Sequence, residues 1–262
     1  MTRLYPLFSG SSGNCYYLGS ADSGILIDAG RSAKQIEAAL CDNGLSPDRI
    51  RAIFVTHEHS DHVQGLRVFT SRHKLRVYAS HGTVAAMRDK GIINEKVDIV
   101  PIGLQSIETD AACVTPFRIS HDCAEGFGYV AETPDGRKTC FATDTGVLTR
   151  EMMDAISGCD TAVLESNHDV NMLECGAYPY ILKQRILSDH GHLSNDACAD
   201  AAAELVRSGT TRFVLAHLSR ENNLPELAMQ TSLCTLLAGG MKQNIDFTLT
   251  VARESGNGMI MY

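Results

Sequence analysis

The feature that most constrains this chain is a junction. The apolar run IRAIFV, residues 50–55, passes without a break into THEHSDH, residues 56–62. The run reads as a buried-type strand. The polar stretch after it places four metal-competent side chains, His57, His59, Asp61 and His62, within six residues. In an extended loop alternate side chains face the same way, so His57 and His59 can share one ion. Asp61 and His62, a turn further on, can face a second ion. Glu58 points away, toward a supporting or a surface position.

The rest of the chain alternates strands with helices. YPLF, NCYYLG and GILIDAG are short apolar runs separated by Gly/Ser-rich turns. Ser32 and Gln35 predict a capping box for a helix that stops near Gly44. Strands are expected at RVYAS, KVDIV, CVTPFRIS, GFGYVAET and KTCFATD, the last two flanking the turn PDGR. Helices are expected near 82–90, 149–157, Asn195–Arg207 with Ser194 as N-cap, and 225–238 with Pro225 in the first turn. TAVLES, RFVLAHLS, FTLTV and GMIMY complete the strands. There is no linker, repeat or low-complexity segment, so residues 1–262 read as a single α/β domain. The pattern is consistent with a four-layer αββα sandwich; periodicity alone supports α/β with a mixed sheet.

Composition narrows the function classes. No apolar run approaches the ~18 residues of a membrane helix, and the N-terminus lacks the apolar core of a signal peptide. The nine cysteines are odd in number and form no CxxC pair, which suits reduced thiols better than a disulfide framework. Cys15, Cys140 and Cys234 lie in apolar stretches and are expected in the core. These signs place the protein in the cytoplasm, with no membrane and no obligate protein partner evident. The net charge of −8 supplies no global basic field, so a polyanion would have to be held by local positive charge.

Further ligand candidates sit where apolar strands stop: His121 after CVTPFRIS, Asp144 after KTCFATD, and His217 after RFVLA. Strand ends are where several strands project groups into one crevice. With these residues in place the chain resembles the metallo-β-lactamase superfamily, since HEHSDH matches its HxHxDH signature and the spaced ligands follow in the family's order. The resemblance implies the αββα fold and two divalent ions. One would be held by His57, His59, His121 and Asp144; the other by Asp61, His62, Asp144 and His217, with Asp144 bridging. Asp28, in ILIDAG, matches the family's first motif and would support the site through hydrogen bonds. The N/O ligand set suits zinc, manganese or iron. True β-lactamases of the fold lack a His at the place of His62 and often carry Cys where Asp144 stands, which disfavours antibiotic hydrolysis.

Two ions about 3.5–4 Å apart can deprotonate a bridging water and neutralise charge on a phosphoryl or carbonyl oxygen. The segment DHGHLSNDACAD is similar to that of ribonuclease Z-like phosphodiesterases and makes His192 the candidate general acid, with Asp61 orienting the nucleophile. SGSSGN, ISHDCAEGFGY, LESNHD and HLSRENN resemble the YycJ/WalJ-type group, viewed as DNA exonucleases acting from 5′ ends. That resemblance implies a nucleic acid substrate, with DNA the leading choice. Within LESNHD, Glu165 and His168 would support a ligand or meet substrate; Ser11, Ser12 and Asn14 would line the phosphate path. The alternative is a small-molecule thioesterase or lactonase like the glyoxalase II branch. Diiron oxygen reductases share the fold, but commonly have Glu where His59 stands and carry a flavin domain.

Overall fold

The computed structural model describes residues 1–256 and 258–261. The chain divides into two compact units, Met1–Pro116 with Cys123–Arg137 and Arg253–Tyr262, and Phe117–Asp122 with Lys138–Ala252.

The first unit is built on β1 (Arg3–Phe8), β2 (Cys15–Gly19), β3 (Gly24–Ile27), β4 (Ile50–Phe54), β5 (Arg76–Ser80) and β6 (Ile99–Ile102), hydrogen-bonded in that order. The pairing is antiparallel through β3 and parallel from β3 to β6. Between them run α1 (Ala33–Asp42), α2 (Ser60–Val63), α3 (Leu66–His73) and α4 (His81–Asp89). The Ser32/Gln35 capping box opens α1 as the sequence predicts, and Gly44 follows its C-cap at φ 69°. In this unit Ile36, Leu40, Ile53, Leu66, Phe69 and Val77 are fully buried in one cluster. Each such side chain contributes about 2 kcal/mol of burial. β7 (Ile107–Glu108) pairs antiparallel with β8 (Cys113–Arg118), and β9 (Phe127–Glu132) lies beside β8.

The second unit holds four parallel strands, β10 (Lys138–Ala142), β11 (Thr161–Glu165), β12 (Arg212–Ala216) and β13 (Thr248–Val251). Its helices are α5 (Arg150–Ile156), α6 (Val170–Cys175), α7 (Tyr180–Ile186), α8 (Asn195–Arg207) and α9 (Pro225–Ala238). β14 (Ile260–Met261) returns to the first unit and pairs antiparallel with β1. The expected strand GMIMY is therefore present as these two residues, and Tyr262 lies outside the described residues.

Parallel register explains where the polar residues gather. Ile27 is level with Phe54, so Asp28 and Thr56–His57 emerge together at the carboxyl ends of β3 and β4. Ala142, Leu164 and Leu215 are level in β10–β12, which brings Asp144, Glu165 and His217 out side by side.

Three expectations change. The strand predicted at KVDIV begins at Ile99 and runs through Pro101; it forms the edge of its sheet, where a residue without an N–H is tolerated. Cys234 is exposed on α9 and not in the core, although Cys15 and Cys140 are buried. α2, α3, α6 and α7 were not expected: they are short, and α7 buries no residue, so no apolar stripe announces it. Among the described residues no helix is long and apolar enough to cross a membrane.

Candidate metal centre

In the first unit the HEHSDH loop is laced to two other segments through its backbone. Asn14 N–H donates to Asp61 O at 2.7 Å, Ala29 N–H to His62 O at 2.8 Å, and Gly65 N–H to Ala29 O at 2.8 Å. The approach is close enough to require glycine. A Cβ on Gly30 would sit 1.7 Å from Asp61 O, and one on Gly13 would sit 2.5 Å from Gly30 O. This is the structural use of SGSSGN and DAG: they fix the loop that carries His57, His59, Asp61 and His62.

The side chains are oriented as firmly. Asp28, fully buried and at φ 63°, accepts from Thr56 N–H at 2.8 Å, Thr56 Oγ1 at 2.9 Å and His62 Nδ1 at 2.8 Å. Burial pushes its carboxyl up, against the downward pull of the neighbouring His62. The Thr56 hydroxyl spends its proton on Asp28, so it accepts from His57 Nδ1 at 3.0 Å. Both imidazoles thus carry a proton on Nδ1, the tautomer in which Nε2 is the metal-type ligand atom. The His59 ring lies 4.5 Å from that of His57, and His62 4.1 Å from it. Asn14 is buried, its amide nitrogen 3.0 Å from His62 Nε2 and 3.3 Å from Asp61 Oδ2. Its amide thus meets the ligand-type atoms of Asp61 and His62 themselves, while Ser12 accepts from Arg31 Nη2 at 2.5 Å. Glu58 is buried, accepting from Ala124 N–H at 3.1 Å, which makes it a brace for the loop. Thr56, which the motif itself does not include, joins Asp28 to both histidines. Its signal in the sequence is its place between a buried strand and the first histidine.

The second unit gathers Asp144, Glu165, His192 and His217, each offering a ligand-type atom within 4.8 Å of the others. Asp144 and His217 take left-handed backbone, φ 58° and 54°, conformations that non-glycine residues hold only when their surroundings impose them. For His217 the brace is Asn167, whose amide donates to His217 O at 2.9 Å. Glu165 is the hub. Its Oε1 accepts from His192 Nδ1 at 2.7 Å and His217 Nδ1 at 2.8 Å, and its Oε2 from Thr145 N–H at 2.8 Å and Leu193 N–H at 3.3 Å. Burial would raise its pKa, but the charge of His192 and these hydrogen bonds hold it down to about 2. With both oxygens so engaged, Glu165 orients the two histidines, and Nε2 is the metal-type ligand atom of His217.

His121 follows the same rule, its Nδ1 donating to Gly191 O at 3.0 Å. His192 lies two residues ahead of the Ser194 N-cap of α8 and is 21% exposed. Burial opposes its charge, yet Glu165 raises its pKa and favours the imidazolium. His168 behaves oppositely: it is buried, neither ring nitrogen makes a hydrogen bond, and burial lowers its pKa to about 4. A buried neutral imidazole brings no charge to a phosphate. His190 is exposed and pairs with Ser120.

Both units offer what divalent ions need: imidazoles with their tautomer fixed through Nδ1, and carboxylates at strand or loop ends. A β-lactamase superfamily domain matches residues 24–218. Exodeoxyribonuclease YycJ of Bacillus anthracis is 40% identical over 85% of this chain and 84% of its own length. The chain belongs to the YycJ/WalJ family of the β-lactamase superfamily. Exodeoxyribonuclease WalJ of Streptococcus pneumoniae D39 is 37% identical, over 92% of this chain and 90% of its own length. The metallo-β-lactamase fold protein YhfI of Bacillus subtilis superposes with a TM-score of 0.72 at 12% identity, covering 98% of this chain and 99% of that one. The fold is thus the metallo-β-lactamase α/β sandwich, and its His/Asp clusters are of divalent-metal type.

Proposed function

We propose that the protein is a metal-dependent phosphodiesterase, a DNA exonuclease acting from 5′ ends, with two divalent ions in its working state. Membership of a family whose similar relatives carry the name exodeoxyribonuclease supports the substrate class. The superfamily match runs through parts of both units, which supports reading residues 1–262 as one functional domain. His57, His59, His121 and Asp144 would hold one ion, and Asp61, His62, Asp144 and His217 the other, as zinc, manganese or iron. When bound, such ions acidify water to give hydroxide at neutral pH and neutralise developing charge on a phosphoryl oxygen.

The observation that carries phosphoryl chemistry is the pairing of His192 with Glu165 at 2.7 Å. The carboxylate keeps the imidazole charged and aimed, so Nε2–H is the proton offered to the leaving oxygen. A thioester leaving group needs no such acid, which favours a nuclease over a thioesterase or lactonase. Asp61, 22% exposed in the laced loop, would orient the attacking water.

Incubating Mn²⁺-loaded protein with end-labelled oligonucleotides tests this. Release of 5′ nucleotides that fails in His192→Ala and Asp144→Ala is expected. An intact oligonucleotide alongside thioester hydrolysis would transfer the site to the small-molecule reading.

A further inference from the structure

A cleft of about 480 Å³ in the first unit begins at Asp61 and is lined by Ser11, Ser12, Gln64, Arg67 and Val68 among others. A second cleft of about 450 Å³ shares Arg67 and Val68 with it and continues past Ser71 and Arg72 to Lys96. The two clefts adjoin at the exposed side chains of Arg67 and Val68, making a two-part trough along α3 that starts at a residue of the HEHSDH loop.

The chemistry of the trough is one-sided. Asp61 is the sole acidic residue among those lining either cleft, whereas Arg67, Arg72 and Lys96 are cationic. Arg31 adds a fourth cationic group through its bond to Ser12, and it lies 5.5 Å over the Phe8 ring. Arg72 is partly offset by Glu37, both of whose oxygens lie 2.7 Å from its Nη1, so Arg67 and Lys96 are the principal exposed charges. The other polar side chains are serine hydroxyls and the amides of Gln64 and Asn94, which can donate to phosphate oxygens without adding charge. None of the lining residues is aromatic; the apolar ones are the aliphatic Val63, Val68, Ile92 and Val97. For a chain of net charge −8, this is a local concentration of positive charge leading away from a metal-type loop.

We propose that this trough holds the phosphodiester backbone of the DNA strand being degraded, beyond the scissile linkage, through Arg67 and Lys96 with Ser12 and Arg31 at its inner end. The proposal rests on the phosphodiesterase reading. Because the grip is on charge and not on base edges, it is independent of sequence and sensitive to salt.

The test uses metal-loaded protein. Binding of a fluorescent, phosphorothioate-linked oligonucleotide is followed by anisotropy across a salt series. Cleavage of the ordinary DNA oligonucleotide, its RNA counterpart and bis(p-nitrophenyl) phosphate is measured in parallel. Arg67→Gln/Lys96→Gln removes two contacts from exposed positions, and Lys242→Gln, exposed in the second unit, is the control. The double variant is expected to bind DNA about tenfold more weakly and to raise KM with little change in kcat. Its slope of log affinity against log salt should fall by roughly 1.4, about 0.7 for each lost phosphate contact on a single strand. Turnover of bis(p-nitrophenyl) phosphate, too small to reach the trough, should match wild type. Affinity and salt slope equal to wild type, in a protein whose wild type cleaves DNA, would overturn the trough alone. A loss confined to RNA would overturn the assignment to DNA. A wild type that cleaves no oligonucleotide would overturn the phosphodiesterase reading and the trough with it.

Discussion

The two units supply polar residues in different ways. In the first, one continuous loop carries four metal-competent side chains, and a single carboxylate, Asp28, orients His62 directly and His57 through Thr56. In the second, Asp144, His217 and His192 come from three separate strand or loop ends; Glu165 accepts from both histidines and, with its other oxygen, from the N–H of Thr145 beside Asp144 and of Leu193 beside His192. The carboxylates differ accordingly: burial pushes Asp28 up, whereas Glu165, with more donors aimed at it, is held at about 2. A loop can be pinned by its backbone. Dispersed residues need a shared side chain, so the second unit should be the more sensitive to losing its orienting group.

The largest effect should come from a ligand of the second unit. Asp144→Ala is expected to lower oligonucleotide cleavage by at least ~10³-fold, about 4 kcal/mol of activation free energy, measured as kcat/KM. His192→Ala comes next, at about 10²-fold on DNA. With bis(p-nitrophenyl) phosphate, whose leaving group needs no proton, the same variant should lose far less. Equal losses on both substrates would assign His192 a positioning role instead.

The orienting carboxylates compare the units directly. Glu165→Gln should cost close to 100-fold in activity or metal affinity and Asp28→Asn nearer tenfold, both within the range for groups that orient metal-binding histidines. The reverse order would break the contrast between a pinned loop and dispersed ligands.

The smallest effect concerns acid. The Thr2 side-chain hydrogen bond, with further bonds from Thr133 and the Thr2 backbone, holds the Asp135 carboxyl well below the usual range. A carboxylate lowered on folding stabilises fully above its unfolded pKa, near 3.9, and that contribution fades as pH falls below it. Amide protection around Thr2 and Thr133, taken relative to the intrinsic exchange rate at each pH, should therefore fall below about pH 4, and Asp135→Asn should remove this pH dependence. Asp135 is partly exposed, so the change should be modest.

The same contrast explains what the sequence made legible. HEHSDH could be read because its ligands are contiguous, and α1 and α8 because their caps and apolar spacing are local signals. Asp144 and His217 were found as polar residues ending apolar strands, but their left-handed backbone gave no such sign. Glu165 stood out only as part of LESNHD; its role depends on β10, β11 and β12 lying level, which no local pattern encodes. Asn14 and Ser12 belong to one Gly/Ser stretch, yet Asn14 is buried against Asp61 and His62 while Ser12 faces a cleft. Side-chain direction within a turn depends on what packs beneath it. α7, which buries nothing, had no apolar period to reveal it.

Metal content measured by inductively coupled plasma mass spectrometry tests most directly whether both units supply ligands. Wild type should hold two divalent ions per chain, and either His57→Ala/His59→Ala or Asp144→Ala/His217→Ala should lower that number. Two ions retained after the Asp144/His217 change, in a folded protein, would contradict a shared centre.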